Sequence, residues 1–297
     1  LFGSLCPVDH HFMRETSVTA SAEAAIWDGT EDTAWYYREH DVVVSENGER
    51  IAIFNIRTAE ELAGLAKLVR NGNSMKNTMI NLVSDVTLND TTNFDNWDEQ
   101  PPANNWTAIG AVPMEAPNVN VVMTVQPECR NTVFAGMFNG NGHTISGMYS
   151  LHHNYAGLFA RTSGIITNVI VKDSYIQCIN TQKVESGDTA LWEACAGGIT
   201  AICDRGVISH CEFDGKIFAS GLNRVGYGTH GSFAGGIVGK FSDDESGVAA
   251  VVMMFALVPA GFLINPALFL TASGQQVITD PGIYSCINRG SIYTEHG

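Results

Sequence analysis

A short unit, Ala-Gly followed by an apolar pair, recurs along the second half of this 297-residue chain. Its last three copies are 40 and 38 residues apart and begin at Ala156, Ala196 and Ala234. A second half-repeat begins with glycine, at Gly164, Gly206 and Gly282. Repeats of this length are typical of solenoids and propellers. Short strands with glycine corners favour coils stacked about 4.8 Å apart. We therefore predict an all-β fold, a right-handed parallel β-helix (solenoid).

The stretch 132–149 reads as a strand, a tight turn and a second strand. Its turn, Asn139-Gly140-Asn141-Gly142, holds two Asn-Gly pairs, the strongest short signal for a hairpin. Because the repeats begin at this point, we expect the turn to be the corner of the first complete coil rather than the tip of a free hairpin.

The composition supports a β-rich protein and excludes one class of partner. Thirty glycines accompany a charged fraction of only 16%, which fits many turns better than long helices. The 31 acidic and 16 basic residues give a net charge of −15. Nucleic-acid binding requires a basic surface, so nucleic acid is not expected as a partner. The seven cysteines form no C-x-x-C pair, and we expect no metal and no cofactor.

One short N-terminal capping helix is predicted over 58–71, because Thr58 and Glu61 form a capping box and apolar residues follow at helical spacing. A helix ahead of a long β region is typical of an end cap, which shields apolar side chains from water. Before it, two strands should pair as a hairpin, at 41–45 and 50–56. The predicted parts are an N-terminal extension or strand, a capping region with the first coils, and the repeat coils: 1–25, 26–131 and 132–297.

An apolar insertion at 241–281 interrupts the last coil, and no charged residue occurs from Ser246 to Thr279. The length alone suggests a membrane span. Two prolines, a glycine and an asparagine weaken that interpretation, and a span would separate the halves of one coil, so no span is expected. An exposed apolar run of this size is untenable in a free monomer, so it should pack on the solenoid or on another copy. The predicted assembly interface comprises Val251, Met254, Phe255, Leu257, Phe262, Leu263, Leu268 and Phe269.

Aligning the half-repeats places residues in columns. One column holds Val169, Cys211 and Cys286, and another, three residues on, holds Lys172, Asp214 and Arg289. Asp214 would then lie between two cations, a contact worth about 1 kcal/mol or less if exposed. Stacked Cys211 and Cys286 would have α-carbons about 5 Å apart, within disulfide range. Two buried free thiols are an equal alternative.

Further candidate sites rest on weaker patterns. Asp243-Asp244-Glu245 lacks the spacing of a calcium loop, and His143 is assigned a structural hydrogen bond rather than a role as a general base. A carbohydrate-active enzyme needs carboxylates beside a cleft, and the candidates are Asp173, Asp204, Arg205 and Asp214. A glycan-binding module needs exposed coplanar rings, and the candidates are Trp27, Trp35, Trp97 and Trp106. For the N-terminal aromatic cluster we favour core packing.

The repeats resemble GLUG repeats. The resemblance rests on AGLF with GIITNVIV, AGGI with GVISHC, and FAGGIVGK with GIYSCINRGSI, and upstream on WDGT, IRTAEELAGLA, WTAIG and FNGNGHTISG. It implies a secreted or cell-surface prokaryotic protein whose β-helix serves as a stalk, adhesin or accessory module, and it implies no catalytic residues. The apolar insertion departs from the family pattern.

We therefore expect a non-enzymatic structural or adhesive surface protein that self-assembles into a filament or layer, with residues 1–25 adding a strand to a neighbouring copy. Other copies of the chain are the first expected partners, and surface glycans or a host matrix are further candidates. The alternative expectation is a carbohydrate-active or glycan-binding β-helix protein.

Overall fold

The computed structural model describes residues 25–45, 48–111, 132–180, 194–221, 232–242, 268–270, 276–278 and 281–296. The fold is mostly β, with parallel sheets and few helices. The helical elements are a 3-10 helix at Ala34–Tyr37, the α-helix α1 at Ala59–Arg70 and a 3-10 helix at Thr91–Asn96.

The strands are short, and their bounds are as follows: β1 Asp41–Val44, β2 Arg50–Ile56, β3 Thr78–Leu82, β4 Val86–Thr87, β5 Met137–Asn139, β6 Thr144–Ser146, β7 Tyr149–His152, β8 Tyr155–Ala156, β9 Phe159–Thr162, β10 Ile165–Thr167, β11 Ile170–Asn180, β12 Ala194–Gly197, β13 Thr200–Asp204, β14 Val207–Ser209, β15 Glu212–Gly221, β16 Ser232–Gly235, β17 Val238–Ser242, β18 Leu268–Leu270, β19 Gln276–Ile278, β20 Gly282–Tyr284, β21 Ile287–Asn288 and β22 Ser291–His296.

Four parallel sheets organise these strands. The first sheet has the order β1-β2-β3-β5-β10-β14-β20, and only its β1–β2 pair is antiparallel. The second has the order β4-β6-β11-β15-β21, with β7 also on β11 and β22 also on β15. The third is β8-β12-β16 and the fourth is β9-β13-β17. Parallel neighbours require a crossover. The crossover from β2 to β3 passes through α1, and the later crossovers of the first sheet pass through strands of the other sheets.

The Ala-Gly units lie side by side in the third sheet. Ala196 is the partner of Ala156 on one side and of Ala234 on the other. The 40- and 38-residue spacing read from the sequence is therefore the pairing register of this sheet.

The glycine half-repeats align less simply. Val207 is the partner of Gly282, so Pro281, not Gly282, occupies the position that corresponds to Gly206. The last copy has one residue fewer between its glycine and the cysteine column, and the column of Val169, Cys211 and Cys286 read from the sequence already contains this difference. The column itself holds, since Glu212 pairs with Ile170 and with Ile287, the residues that directly follow the column.

The two turn predictions have different outcomes. Strands β1 and β2 form the predicted antiparallel hairpin. Strands β5 and β6 do not pair with each other, because β5 belongs to the first sheet and β6 to the second. The Asn139–Gly142 turn is thus a corner between sheets, as expected from the repeats.

Helix α1 forms as predicted and covers one end of the core. The Thr58 hydroxyl accepts a hydrogen bond from the Glu61 N–H at 3.2 Å, and the Glu61 carboxylate accepts one from the Arg57 N–H at 2.7 Å. These bonds satisfy N–H groups that a helix start leaves unpaired. The apolar face is buried and comprises Leu62, Leu65, Ala66 and Val69.

Alternate residues of the central strands of the first two sheets point into one core. In the first sheet the buried partners are Phe138, Ile166 and Ile208, and in the second they are Ile145, Val171 and Phe213. Burying a side chain of this size contributes about 1.5–3 kcal/mol. Because such apolar residues recur at matching positions in successive strands, their burial holds the strands in register.

Most of the predicted assembly interface lies outside the described residues, namely Val251, Met254, Phe255, Leu257, Phe262 and Leu263. Leu268 and Phe269 lie in β18, whose backbone pairs antiparallel with β19. The predicted extension 1–25 is also outside the description except for its last residue. Among the described residues, no helix has the length and apolar character needed to cross a membrane.

Candidate functional site

A groove lies at the corner between the first and second sheets and encloses about 410 Å³. It runs across successive strands and is lined by Asn141, Gly142, Asn168, Ile170, His210, Cys211, Glu212, Ser285 and Ile287. The lining is largely polar, with amide, imidazole, hydroxyl and carboxylate groups. We call this feature the corner groove.

A column of left-handed residues forms the corner. Asn168, His210 and Ser285 directly follow strands β10, β14 and β20, and their φ angles are 54°, 53° and 50°. Asn and His enter this region more readily than most residues. The corner backbone is paired between strands, because Asn168 N–H donates to the Ser209 carbonyl at 3.1 Å and His210 N–H to the Tyr284 carbonyl at 2.9 Å. The side chains are thereby left to line the groove.

An asparagine ladder leads up to the corner. Asn55, Asn81 and Asn139 are consecutive partners in the first sheet. Asn81 donates to Asn55 at 3.2 Å, Asn139 donates to Asn81 at 3.4 Å, and Asn168 donates to Asn139 at 3.1 Å. This ladder was not predicted. The sequence does carry a signal for it, because each of the three asparagines follows a buried apolar residue at or next to the end of a strand.

The predicted charge column is in register but its ion pairing differs from the prediction. Lys172 and Asp173 both lie opposite Asp214 at an irregularity between β11 and β15. Arg289 donates to the Glu212 carboxylate at 2.8 Å instead of to Asp214. This hydrogen bond and the charge of Glu212 raise the pKa of Arg289, with a smaller contribution from Asp214. The Glu212 carboxylate in the groove is therefore already neutralised.

Two thiols lie beside the groove. Cys211 and Cys286 directly precede the paired strands β15 and β21 and are both free thiols rather than a disulfide. Cys211 is 1% exposed, and Cys286 is half-buried. Burial and the neighbouring Cys286 raise the pKa of Cys211 well above its ordinary value. A hydrogen bond from the Cys211 thiol lowers the pKa of Cys286.

The four tryptophans considered for sugar stacking are all inside the protein, which confirms the core packing that we favoured for the N-terminal aromatic cluster and leaves none of the four as an exposed stacking ring. Their exposed fractions are 8% for Trp27 and 2% for each of Trp35, Trp97 and Trp106. Trp27 and Trp106 meet edge to face, with an interplanar angle of 67°. Trp97 packs in a separate cluster with Tyr149 and Tyr175. Buried indoles of this kind close the core rather than offer a flat binding surface.

The candidate catalytic carboxylates are not brought together. Asp204 ends β13 in the fourth sheet and forms an ion pair with Arg161. Asp173 is exposed at the irregularity in the second sheet, where Asp214 is its neighbour. Arg205 follows Asp204 with a left-handed φ of 53°. The arrangement does not form a carboxylate pair beside the corner groove.

The histidines make local hydrogen bonds. His143 Nδ1 lies 3.1 Å from the Asp85 carboxylate, which also accepts the Thr144 N–H. His152 Nδ1 accepts the Asn154 N–H at 3.1 Å, and His153 Nδ1 lies 3.0 Å from the Ile179 carbonyl. Each contact ties a turn to a neighbouring segment.

Within the part of the chain that the structure describes, no three His, Cys, Asp or Glu side chains come together as metal ligands. The candidate calcium loop lies outside the described residues, and it comprises Asp243, Asp244 and Glu245. No protein-family model, curated protein or solved structure matches the chain significantly. The fold and the corner groove therefore have to carry any functional proposal.

Proposed function

We propose that this chain is an extracellular structural or adhesive surface protein, built as a right-handed parallel β-helix related to the GLUG-repeat proteins, and that its copies assemble into a filament or layer. The observation that carries the proposal is the in-register pairing of repeat units, with Ala156, Ala196 and Ala234 as consecutive partners. Stacked repeats contact only their neighbours and build extended bodies. Such a body suits a stalk or fibre.

The order of the strands supports the β-helix. Between β10 and its parallel neighbour β14, the chain passes once through each of the other three sheets, in β11, β12 and β13. The same order recurs from β14 through β15, β16 and β17 to β20. A chain that visits four sheets in constant order and returns one strand further along each of them follows the path of a coil.

The outer contacts support a structural role. The asparagine ladder and the Glu212–Arg289 pair link neighbouring strands on the outside of the sheets. Each contact is individually modest, about 0.5–1.5 kcal/mol for a hydrogen bond and less for an exposed ion pair. Their repetition fixes the lateral register of the strands.

Apolar surface near the interruption supports self-assembly. The coil after the insertion exposes 43% of Ile287 and 59% of Tyr293. The insertion itself carries no charge over 246–279. Exposed apolar side chains beside an apolar sequence of this length favour contacts between protein molecules. We propose that copies associate through 248–270 and the adjacent last coil.

The test compares assembly of the full chain with that of three variants. One variant lacks 246–279, and one carries Val251→Asp, Phe255→Asp and Leu263→Asp. The matched control carries Val44→Asp, which replaces an apolar residue that is 65% exposed on β1. Light scattering after size exclusion and negative-stain microscopy measure assembly, and circular dichroism checks folding.

We expect the full chain and the Val44→Asp control to form large assemblies and the other two variants to be folded monomers. A monomeric full chain would contradict the proposal, and so would a deletion variant that assembles like the full chain.

The corner groove favours glycan binding as a second candidate function. Its amides, hydroxyl and imidazole offer hydrogen bonds to a neutral hydroxylated ligand, whereas the Glu212 charge is balanced by Arg289. A polysaccharide panel tests this with the wild-type chain and with His210→Ala. Binding that is weakened at least tenfold by the substitution, without cleavage of the polysaccharide, is the expected result.

A further inference from the structure

Cys211 and Cys286 are held close to each other by the backbone of two paired strands. Glu212 and Ile287 are direct partners, and the Ile287 N–H donates to the Cys211 carbonyl at 2.9 Å. Adjacent parallel strands lie about 4.8 Å apart, a separation within the α-carbon range of disulfides. Both side chains lie on the core-facing side of their strands, where Cys211 contacts the core cluster that Cys286 packs against.

The corner groove lies directly beside this pair. Cys211 lines the groove, and so do Ser285 and Ile287, the two neighbours of Cys286. Cys286 is half-buried, whereas the described cysteines elsewhere, Cys178, Cys195 and Cys203, have no exposed surface. A small molecule in the groove would therefore meet this pair before any other described thiol.

We propose that Cys211 and Cys286 form a thiol–disulfide exchange site, which a small disulfide such as oxidised glutathione converts to an intramolecular disulfide through the corner groove. This exchange does not depend on the proposed surface function, because it involves only Cys211, Cys286 and the stability of the strands that follow them.

The exchange has two steps, and Cys286 acts first. Its thiolate attacks one sulfur of the small disulfide, whose S–S bond breaks and releases one thiol after protonation. Cys211 then loses its proton to water, attacks the Cys286 sulfur of the mixed disulfide, and expels the second thiol. Two protein thiols are oxidised and one small disulfide is reduced to two thiols.

The order of attack follows from the environments of the two groups. The thiolate is the nucleophile, so the more acidic and more accessible thiol reacts first. The hydrogen bond from the Cys211 thiol lowers the pKa of Cys286, whereas burial raises the pKa of Cys211. Burial also raises the pKa of Cys203, to about 12, and that of Cys178 further still. These last two thiols should remain inert.

The disulfide would tie the last coil to the coil before it. The bond would close the chain across the interval from 211 to 286, which contains the whole apolar insertion. Closing a long loop restricts the unfolded chain. We expect the oxidised protein to melt roughly 5–10 °C above the reduced protein.

The experiment uses the full chain with Cys6→Ser and Cys129→Ser, because these two cysteines lie outside the described residues. The folded protein is incubated with oxidised glutathione at neutral pH and then alkylated. Peptide mapping by mass spectrometry without reduction identifies each cysteine. Cys211→Ser and Cys286→Ser are added separately to this background, and circular dichroism checks that each variant is folded.

We expect a Cys211–Cys286 disulfide in the parent protein and a stable glutathione mixed disulfide on Cys286 in the Cys211→Ser variant. The Cys286→Ser variant should react at least tenfold more slowly. If the folded parent stays fully alkylatable, or if glutathione attaches to Cys178 or Cys203 at the same rate as to Cys286, the proposal is overturned.

Discussion

Gly64 is required by a contact with another segment of the chain, and the sequence of its own helix gives no sign of that contact. It lies inside α1, where glycine costs about 1 kcal/mol relative to alanine. A Cβ at this position would lie 1.8 Å from the Asp32 carbonyl oxygen. The same segment is tied to the helix by the Asp32 N–H, which donates to the Glu60 carbonyl at 2.8 Å. Glycine is therefore kept in this helix, although it is a poor helix former, because the backbone around Asp32 lies in close contact with it.

Gly64→Ala tests which of these effects dominates. Helix propensity alone predicts a gain of up to about 1 kcal/mol, whereas the steric conflict predicts a loss of about 1–3 kcal/mol. We expect the loss, measured as the free energy of unfolding in urea. The control is Ala63→Gly, a change that removes a methyl group from the same helix and costs about 1 kcal/mol through propensity. A Gly64→Ala variant more stable than the wild type would contradict the close approach.

At the residue scale, the sequence could predict what depends on near neighbours along the chain. The capping box of Thr58 and Glu61 needs residues only three apart, and it formed as predicted. The burial of Trp106 depends instead on contacts with distant residues, including the Leu158 carbonyl that accepts its indole N–H at 3.3 Å. Composition gives no indication of such a contact. The aromatic residues were therefore open to a false interpretation as binding surfaces.

At the element scale, α1 is held by ion pairs at its C-terminal end as well as by its buried face. The Glu31 carboxylate lies 2.6 Å from Arg70 and 3.2 Å from Lys67. Partial burial raises the pKa of Glu31, but the hydrogen bonds and charges of Arg70 and Lys67 outweigh it, so the net pKa is lowered. The two cations also suit the negative end of the helix dipole.

Glu31→Gln should reveal this contribution through its pH dependence. Because the folded-state pKa is lowered, the stabilisation is present above the unfolded-state pKa and is lost as the pH falls through the folded value. We expect the variant to be about 0.5–1 kcal/mol less stable than wild type at neutral pH and equally stable near about pH 3. Urea unfolding at both pH values measures the difference. The control is Glu39→Gln, which changes an exposed carboxylate. If Glu31→Gln lost the same free energy of unfolding at both pH values, the ion pairs would be excluded as the cause.

Helices and strands were predicted correctly where the spacing of apolar residues and the residues of the turns indicate the same structure. The β1–β2 hairpin and α1 are local elements and were confirmed. The corner groove was not predicted, because its lining comes from four separate segments between Asn141 and Ile287. The predicted column of Val169, Cys211 and Cys286 already places three of these segments side by side, and the pairing of Gly282 with Val207 agrees with it. That column gives no indication that the corner between the two sheets opens into a groove.

At the scale of the whole molecule, the two ends of the described sheets differ. Helix α1 packs over the end that holds β2 and β3, where Phe54, Ile56, Ile80 and Leu82 are all buried. At the other end, β21 and β22 place polar or exposed residues opposite buried ones. Asn288 is the partner of buried Phe213, and exposed Thr294 is the partner of buried Ala219. The core therefore thins toward β21 and β22.

This asymmetry predicts a gradient of local stability. Strand β15 pairs on both sides, with β11 and with β22, whereas β22 pairs only with β15 among the described strands. Amides that open without exposing much core exchange fastest. In the monomeric variant with Val251→Asp, Phe255→Asp and Leu263→Asp, hydrogen exchange measured by mass spectrometry should therefore show 291–296 exchanging at least tenfold faster than 212–221, with β2 and β3 as slow as β15. Equal protection of β15 and β22 in the reduced protein would contradict the gradient. Oxidation of Cys211 and Cys286 should slow exchange in 287–296 and leave β2 unchanged, because the new bond restrains only the last coil.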